Sequence, residues 1–234
     1  MQIIIQKIIA SSGYSSRRTA EDLIRRGVVK VNGDVALVGE TADPERDRIV
    51  VSGNLINSAA EKIYLKLNKP LGYTCTNKSF PNEKNIFDLV KIPDRLFAIG
   101  RLDKNSRGLI ILTNDGDLTQ KLSHPRYNHE KIYKVKVRQL VGDPNLITKK
   151  LSVGVNIGEE DGIVQVKKVH YLQNQTFIIT LNEGKKRQIR RMFEVLGMEV
   201  FDLQRISFAG LELGELKEGR FEYLSTEEIK KLKV

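Results

Sequence analysis

A single carboxylate among cations is the first place this sequence could do chemistry. Asp103 sits in Ile99-Gly100-Arg101-Leu102-Asp103-Lys104-Asn105-Ser106-Arg107-Gly108-Leu109, close to Arg101, Lys104 and Arg107 and with a glycine towards each end. Neighbouring cations favour the ionised form of a carboxyl group. An ionised carboxylate held in position can act as a nucleophile or as a base. A Gly-flanked Asp can also do no more than brace a turn, and the residues alone leave both readings open.

A second cluster lies at Lys185-Lys186-Arg187-Gln188-Ile189-Arg190-Arg191, five cations in seven residues. Ile189, Met192, Phe193 and Leu196 recur at helical spacing, which predicts a buried stripe closed by Gly197. Cations at a helix start oppose the macrodipole, each at a cost of a few tenths to about 1 kcal/mol. Such a cluster expects an anion, either phosphate from a bound nucleic acid or a carboxylate brought close by the fold.

The elements that must position these groups can be read in turn. Leu109 to Thr113 is a short apolar run and predicts a buried strand directly after Asp103; Asn114-Asp115-Gly116 predicts a turn or helix start, and 117–123 a short helix. Lys131 to Arg138 alternates, with Tyr133, Val135 and Val137 on one face and Lys134, Lys136 and Arg138 on the other. Ile63, Leu65 and Leu67 predict another half-buried strand, followed by a turn at Lys69-Pro70-Leu71-Gly72. Ile86 to Val90 predicts a short helix. Val153, Val155 and Ile157 continue a strand-like alternation. Two strands are expected over 163–172 and 176–182. Ser225-Thr226-Glu227-Glu228 is a capping box for a last helix.

The N-terminal stretch is organised differently. A helix is expected over 3–11 and a second over 17–26, capped by Ser15 or Ser16 and stopped by Gly27. Val28 to Val31, Asp34 to Val38 and Arg48 to Ser52 predict short strands, with Asn32-Gly33 as a tight turn. Arg18 and Arg25 share a helix stripe, and Arg17, Arg26 and Lys30 lie close by. These five could grip phosphates, or form a solvated face with Arg17–Glu21 and Arg18–Asp22 as pairs. Asn54 to Ala60 reads as a linker. The expected boundaries are 1–56, a linker at 57–62, and a larger domain at 63–234. Many strands, few long helices and no repeating βαβ spacing predict an α+β fold.

Composition narrows the function classes. With 39 Lys and Arg against 29 Asp and Glu, the 234-residue chain carries a net charge of +10 and suits a polyanionic partner. Through residue 58 there are 8 basic and 7 acidic residues, whereas the remainder holds 31 and 22, so the larger domain carries most of the positive field. Cys75 is the only cysteine, which excludes an intramolecular disulfide and a thiolate zinc cluster. His124, His129 and His170 show no metal-ligand spacing. No apolar run approaches the ~20 residues of a membrane helix, and a cytoplasmic monomer without a membrane partner is expected.

Gly100-Arg101-Leu102-Asp103, then Ser106-x-Gly108-Leu109 and Leu112-Thr113-Asn114-Asp115-Gly116, resembles the catalytic motif of pseudouridine synthases, in the RsuA, RluB, RluE and RluF group that modifies ribosomal RNA. Lys69-Pro70-x-Gly72 and the tail from Gly214 to Leu224 agree with that family. Ser15-Ser16-Arg17-Arg18, Ala20-Glu21, Leu23-Ile24, Gly27 and Val31-Asn32-Gly33 resemble the RNA-binding module first known from ribosomal protein S-four. The resemblance implies a small RNA-binding domain followed by a synthase domain built on a mixed, mainly antiparallel sheet with flanking helices. It implies that a uridine in structured ribosomal RNA is turned out, its base cut from the sugar, rotated and rejoined through carbon, without metal or cofactor. Large-subunit RNA is slightly favoured.

By that resemblance Asp103 is the catalytic residue, Tyr133 stacks on the base, and Arg190 forms an ion pair with Asp103. Arg101 fills the vacated stack. Lys185, Lys186, Arg187 and Arg191 are expected on RNA phosphates, together with Arg17, Arg18, Arg25, Arg26 and Lys30. A catalytically silent RNA-binding assembly factor would share the composition but could lose Asp103, Tyr133 or Arg190. A sequence-specific DNA-binding protein is disfavoured by the absence of zinc ligands and of a helix-turn-helix dimer pattern.

Overall fold

The computed structural model describes residues 1–56, 60–76, 80–158 and 160–233. The chain divides into two compact units, one of residues 1–63 with 92–96 and 114–116, the other of residues 64–91, 97–113 and 117–234.

In the first unit, α1 (Ile5–Ser11) and α2 (Arg17–Arg25) pack on a four-stranded antiparallel sheet. Its strands are β1 (Val29–Val31), β2 (Asp34–Val35), β3 (Ile49–Val51) and β4 (Asn54–Leu55), in the order β2-β1-β3-β4. The Ser16 side chain accepts the Thr19 N–H at 2.9 Å and starts α2; Gly27, at φ +69°, follows its end. Asn32 and Gly33 both have positive φ, as the tight hairpin turn between β1 and β2 requires. Ile5, Ile8, Ile9, Ala20, Ile24, Val29, Ile49 and Val51 form the core. Full burial of each large aliphatic side chain contributes about 1.5–3 kcal/mol.

Two expectations need correction here. Asn54 and Leu55 are not linker: they pair with Val51 and Val50 as an edge strand. The strand expected to Val38 stops at Val35, and Leu37 and Val38 are exposed. Of the expected linker at 57–62, residues 57–59 lie outside the described residues.

The second unit is built on a nine-stranded mixed sheet. Its strands are β5 (Tyr64–Lys69), β6 (Phe97–Ile99), β7 (Arg107–Thr113), β8 (Lys131–Val137), β9 (Lys168–Tyr171), β10 (Thr176–Leu181), β11 (Val200–Phe208), β12 (Leu211–Glu212) and β13 (Phe221–Tyr223). The order is β9-β10-β8-β11-β7-β5-β13, with β6 paired to β7 and β12 to β11. Only the β7–β11 pairing is parallel; the others are antiparallel. The helices are α3 (Gly116–Ser123), α4 (Pro144–Val153), α5 (Gln188–Val195) and α6 (Thr226–Lys233). Ile99, Leu109, Ile111, Leu118, Leu122, Phe208 and Leu211 belong to one buried cluster that ties β6, β7, α3 and β11 together.

α4 replaces part of the strand expected around Val153. Asp143 caps it by accepting the Asn145 N–H at 2.9 Å, Pro144 occupies the first turn, and Ile147 and Leu151 are buried one helical turn apart. β5 is buried on both faces, not the half-buried strand that alternation predicted, and Lys66 on it is paired with Glu222 and Glu228. The Ser225–Glu228 capping box forms as expected, at 2.8 and 3.2 Å. No described helix is long and apolar enough to cross a membrane.

Candidate active site

The chain leaves β6 at Ile99 and enters β7 at Arg107, so the Asp103 loop hangs between two strands that pair with each other. Gly100 at φ +69° and Gly108 at φ +105° bracket it, both in the left-handed region that disfavours side chains. Gly108 is also a close approach: a Cβ there would sit 2.3 Å from the Arg205 carbonyl oxygen and 2.7 Å from its nitrogen. Within the loop the Ser106 N–H donates to the Asp103 carbonyl at 3.0 Å and closes a turn. Leu102 is buried and pins the loop, while Arg101 and Asp103 on either side are exposed.

Two cations hold the backbone that follows Asp103. Lys69, fully buried at the end of β5, donates from Nζ to the carbonyls of Ser106 at 2.6 Å, Pro70 at 3.0 Å and Lys104 at 3.5 Å. The Gly72 N–H donates to the same Lys104 carbonyl at 2.8 Å. Arg190, in the first turn of α5, donates from Nη2 to the Asn105 carbonyl at 2.5 Å and from Nη1 to the Val200 carbonyl at 2.6 Å. Three consecutive carbonyls are therefore bonded to buried or half-buried cations. Burial lowers the pKa of the Lys69 ammonium and of the Arg190 guanidinium; Arg187 adds to the effect at Arg190, and the charge of Asp103 opposes it at both.

The expected Asp103–Arg190 ion pair does not form. Among the described residues the Asp103 carboxylate has no ion-pair or hydrogen-bond partner, and Arg190 commits its planar fork to two backbone carbonyls instead. The guanidinium thus fixes the loop rather than the carboxylate, and the carboxylate stays open to solvent.

Tyr133, 9% exposed, stands on β8 directly opposite Arg205 of β11, so the two side chains rise from one face of the sheet. Arg107 sits at the loop's exit and makes a bidentate pair with Asp202, Nε to Oδ1 at 2.7 Å and Nη2 to Oδ2 at 2.8 Å. The bonds from Arg107 hold the Asp202 carboxyl below its usual range.

The cations of the second cluster divide into two groups. α5 begins only at Gln188, and Arg187, in a left-handed conformation at φ +53°, precedes it. Lys185, Lys186 and Arg187 therefore lie outside the helix. Lys186 and Arg187 are exposed and open to a partner. Arg191 is engaged within the protein, with the Asp161 carboxylate and the Ile157 carbonyl, and Lys185 donates to the Asp161 carbonyl at 2.8 Å. The Arg191 hydrogen bond holds the Asp161 carboxyl low. In the first unit Arg17, Arg18, Arg25, Arg26 and Lys30 are all exposed. Glu21 pairs with Arg25 at 2.6 Å, not with Arg17 as its spacing allowed.

Sequence reasoning missed Arg205 and the anchoring role of Lys69. One signal for Arg205 was available: it lies two residues beyond Leu203, on the same inward face of a strand. Nothing local marked Lys69 as a donor to a loop more than thirty residues on. Among the described residues no group of three His, Cys, Asp or Glu side chains could hold a metal ion.

Comparison with known proteins places the chain in a family. Residues 63–195 match the RNA pseudouridylate synthase family, and residues 5–47 match the S4 domain. A ribosomal large subunit pseudouridine synthase B of Bacillus subtilis (strain 168) is 39% identical over 236 residues, covering 98% of this chain and 95% of the relative. A protein of the same name from Buchnera aphidicola subsp. Baizongia pistaciae (strain Bp) is 39% identical over 220 residues, covering 89% and 87%. A crystal structure of a pseudouridylate synthase superposes with a TM-score of 0.71 at 30% identity, covering 98% of this chain and 99% of that one. A family match over more than half the chain and relatives so similar over nearly its whole length lead to one conclusion: the protein belongs to the RNA pseudouridylate synthase family and carries an S4 domain ahead of its synthase fold.

Proposed function

We propose that the protein converts a specific uridine of large-subunit ribosomal RNA to pseudouridine, with Asp103 as the catalytic carboxylate. The observation that carries this reading is the state of Asp103: an exposed carboxylate, unpaired among the described residues, on a loop whose next three carbonyls are bonded to Lys69 and Arg190. The backbone is constrained while the reactive oxygens stay free, as a group that must meet an incoming sugar or ring requires. The names of the relatives from Bacillus and Buchnera support the large-subunit substrate.

A base inside a helix is out of reach of such a loop, so the uridine is turned out of its stack or taken from an unpaired region. Tyr133 holds the extruded base by its ring, and Arg101, exposed two residues before Asp103, fills the gap left in the RNA. Arg190 keeps the site cationic through the loop backbone. Lys186 and Arg187, with Arg17, Arg18, Arg26 and Lys30 of the S4 domain, contact phosphates.

Asp103→Asn tests the central assignment. Pseudouridine formation on ribosomal RNA, read by carbodiimide mapping in cells with and without the gene and then with purified protein, should fall by at least about a thousandfold. RNA affinity should stay within about threefold, because Asp103 carries no phosphate contact. Turnover at the wild-type rate in that variant removes Asp103 from the chemistry.

A further inference from the structure

Beneath the Asp103 loop lies a buried cation for which the reaction outlined above has no use. Arg205 is 1% exposed in the middle of β11. Its Nε donates to the Leu109 carbonyl at 2.8 Å, its guanidinium stands 5.1 Å from the Phe208 ring centre, and its Nη2 is buried without a hydrogen-bond partner among the described residues. Among the described residues no carboxylate pairs with it. A buried charge in that condition is expensive, and an apolar side chain of similar volume would cost the fold less.

The surroundings say what the charge is placed against. The Arg205 backbone fills the space that a side chain on Gly108 would need, and Arg205 Nη1 lies 3.7 Å from where a Gly100 Cβ would be. The residue thus touches both ends of the loop that carries Asp103. It also sits directly opposite Tyr133 across the β8–β11 ladder. Its backbone thus lies against Gly108, its side chain beside Gly100, and its strand position faces Tyr133.

We propose that Arg205 is a positioning residue for the isomerisation, setting the Asp103 loop at a fixed height over Tyr133. Its seal from solvent separates it from the exposed cations: it cannot reach an RNA phosphate, so it acts on turnover and not on binding. Its Nη2, buried without a hydrogen-bond partner among the described residues, leaves donor capacity unspent beneath the loop. The proposal rests on Asp103 as the catalytic carboxylate. Asp103→Asn, run in parallel, separates the two, since activity surviving there overturns that assignment whatever the Arg205 variants do.

The test compares Arg205→Met, Arg205→Gln and Arg205→Lys in full-length protein on ribosomal RNA fragments. Single-turnover rate, RNA affinity and thermal melting are each measured, with rates taken well below every melting temperature. Loss of the charge in the Met and Gln variants should lower the turnover rate by about a hundredfold, the scale expected for a displacement near 1 Å at a reacting group. RNA affinity should hold within about threefold, since no phosphate contact is lost. Arg205→Lys should regain at least about fivefold over Arg205→Met, because the charge returns without the fork. A folded Met or Gln variant that turns over at the wild-type rate, or one whose defect lies wholly in RNA affinity, overturns the proposal. So does the failure of all three variants to fold, which would make Arg205 a structural residue only.

Discussion

The Cα of Gly108 rests against the backbone of Arg205, so closely that a single added methyl group would meet the Arg205 carbonyl oxygen at 2.3 Å. This contact is where β7 and β11 run parallel, Gly108 opposite Arg205 and Arg107 opposite Gln204. Gly108 is required there twice over, by the approach and by its φ of +105°. Gly108→Ala should destabilise the protein by about 3 kcal/mol or more, from overpacking together with backbone strain. In a chain of this size that lowers the melting temperature by about 6–12 °C. Differential scanning calorimetry decides it, and a melt within a degree or two of wild type would contradict the contact.

Lys69 is the stay of the loop from the β5 side. Lys69→Met keeps the volume and the apolar stem but leaves the Ser106 and Lys104 carbonyls with one donor fewer. The Lys104 carbonyl keeps the Gly72 N–H, but leaving the buried Ser106 carbonyl without its donor costs about 1–3 kcal/mol. Hydrogen exchange should report faster exchange at the Ser106 amide, whose turn with Asp103 would loosen. Protection at Ser106 equal to wild type would mean that Lys69 does not hold the loop.

The Arg107–Asp202 pair makes stability depend on acid. The Asp202 carboxyl titrates below its unfolded value, first because Arg107 donates to it. A depressed carboxyl contributes stability that is fully present above the unfolded pKa of about 3.9 and lost as the pH falls through the lower folded value. Asp202→Asn should therefore melt lower than wild type at pH 7, with the gap closing below about pH 4. The measurement is a melting series from pH 7 to pH 3; a gap that stays constant over that range would show that ionisation of Asp202 is not what stabilises.

The basic residues should separate into binders and braces. Lys186→Ala and Arg187→Ala remove exposed cations, so each should flatten the salt dependence of RNA binding by roughly 0.7–0.9 in the log–log slope, with little change in melting. Arg191→Ala removes the partner of Asp161 and the donor to Ile157. It should lower the melting temperature and leave the salt slope nearly as it was. Filter binding across a salt series distinguishes them, and a slope change at Arg191 equal to that at Arg187 would reverse the division.

Much of the local structure could be read from adjacent residues. Ser16 before an Arg-rich helix, Asn32-Gly33 between two strands, and Ser225 three residues before Glu228 each act within one turn of chain. Their geometry follows from nearby backbone groups that lack partners. The alternation from Lys131 to Val137 likewise showed which face holds Tyr133. The same kind of reading failed around Val153. There Val153, Val155 and Ile157 suggested a strand, while the cap at Asp143 and the proline after it already signalled α4.

Residue types and spacing were enough to mark the chemistry: a carboxylate with cations at 101, 104 and 107, an aromatic strand, and a basic run from 185 to 191. Which cation meets which oxygen was a matter for the tertiary fold alone. Arg190 reaches the Asn105 carbonyl instead of the Asp103 carboxylate, Arg191 turns to Asp161, and Arg205 is sealed under a loop nearly a hundred residues earlier. These partnerships depend on strand order and register, which bring distant segments together. Hydrogen bonds and ion pairs act over a few ångströms, so no local pattern along the chain can record them.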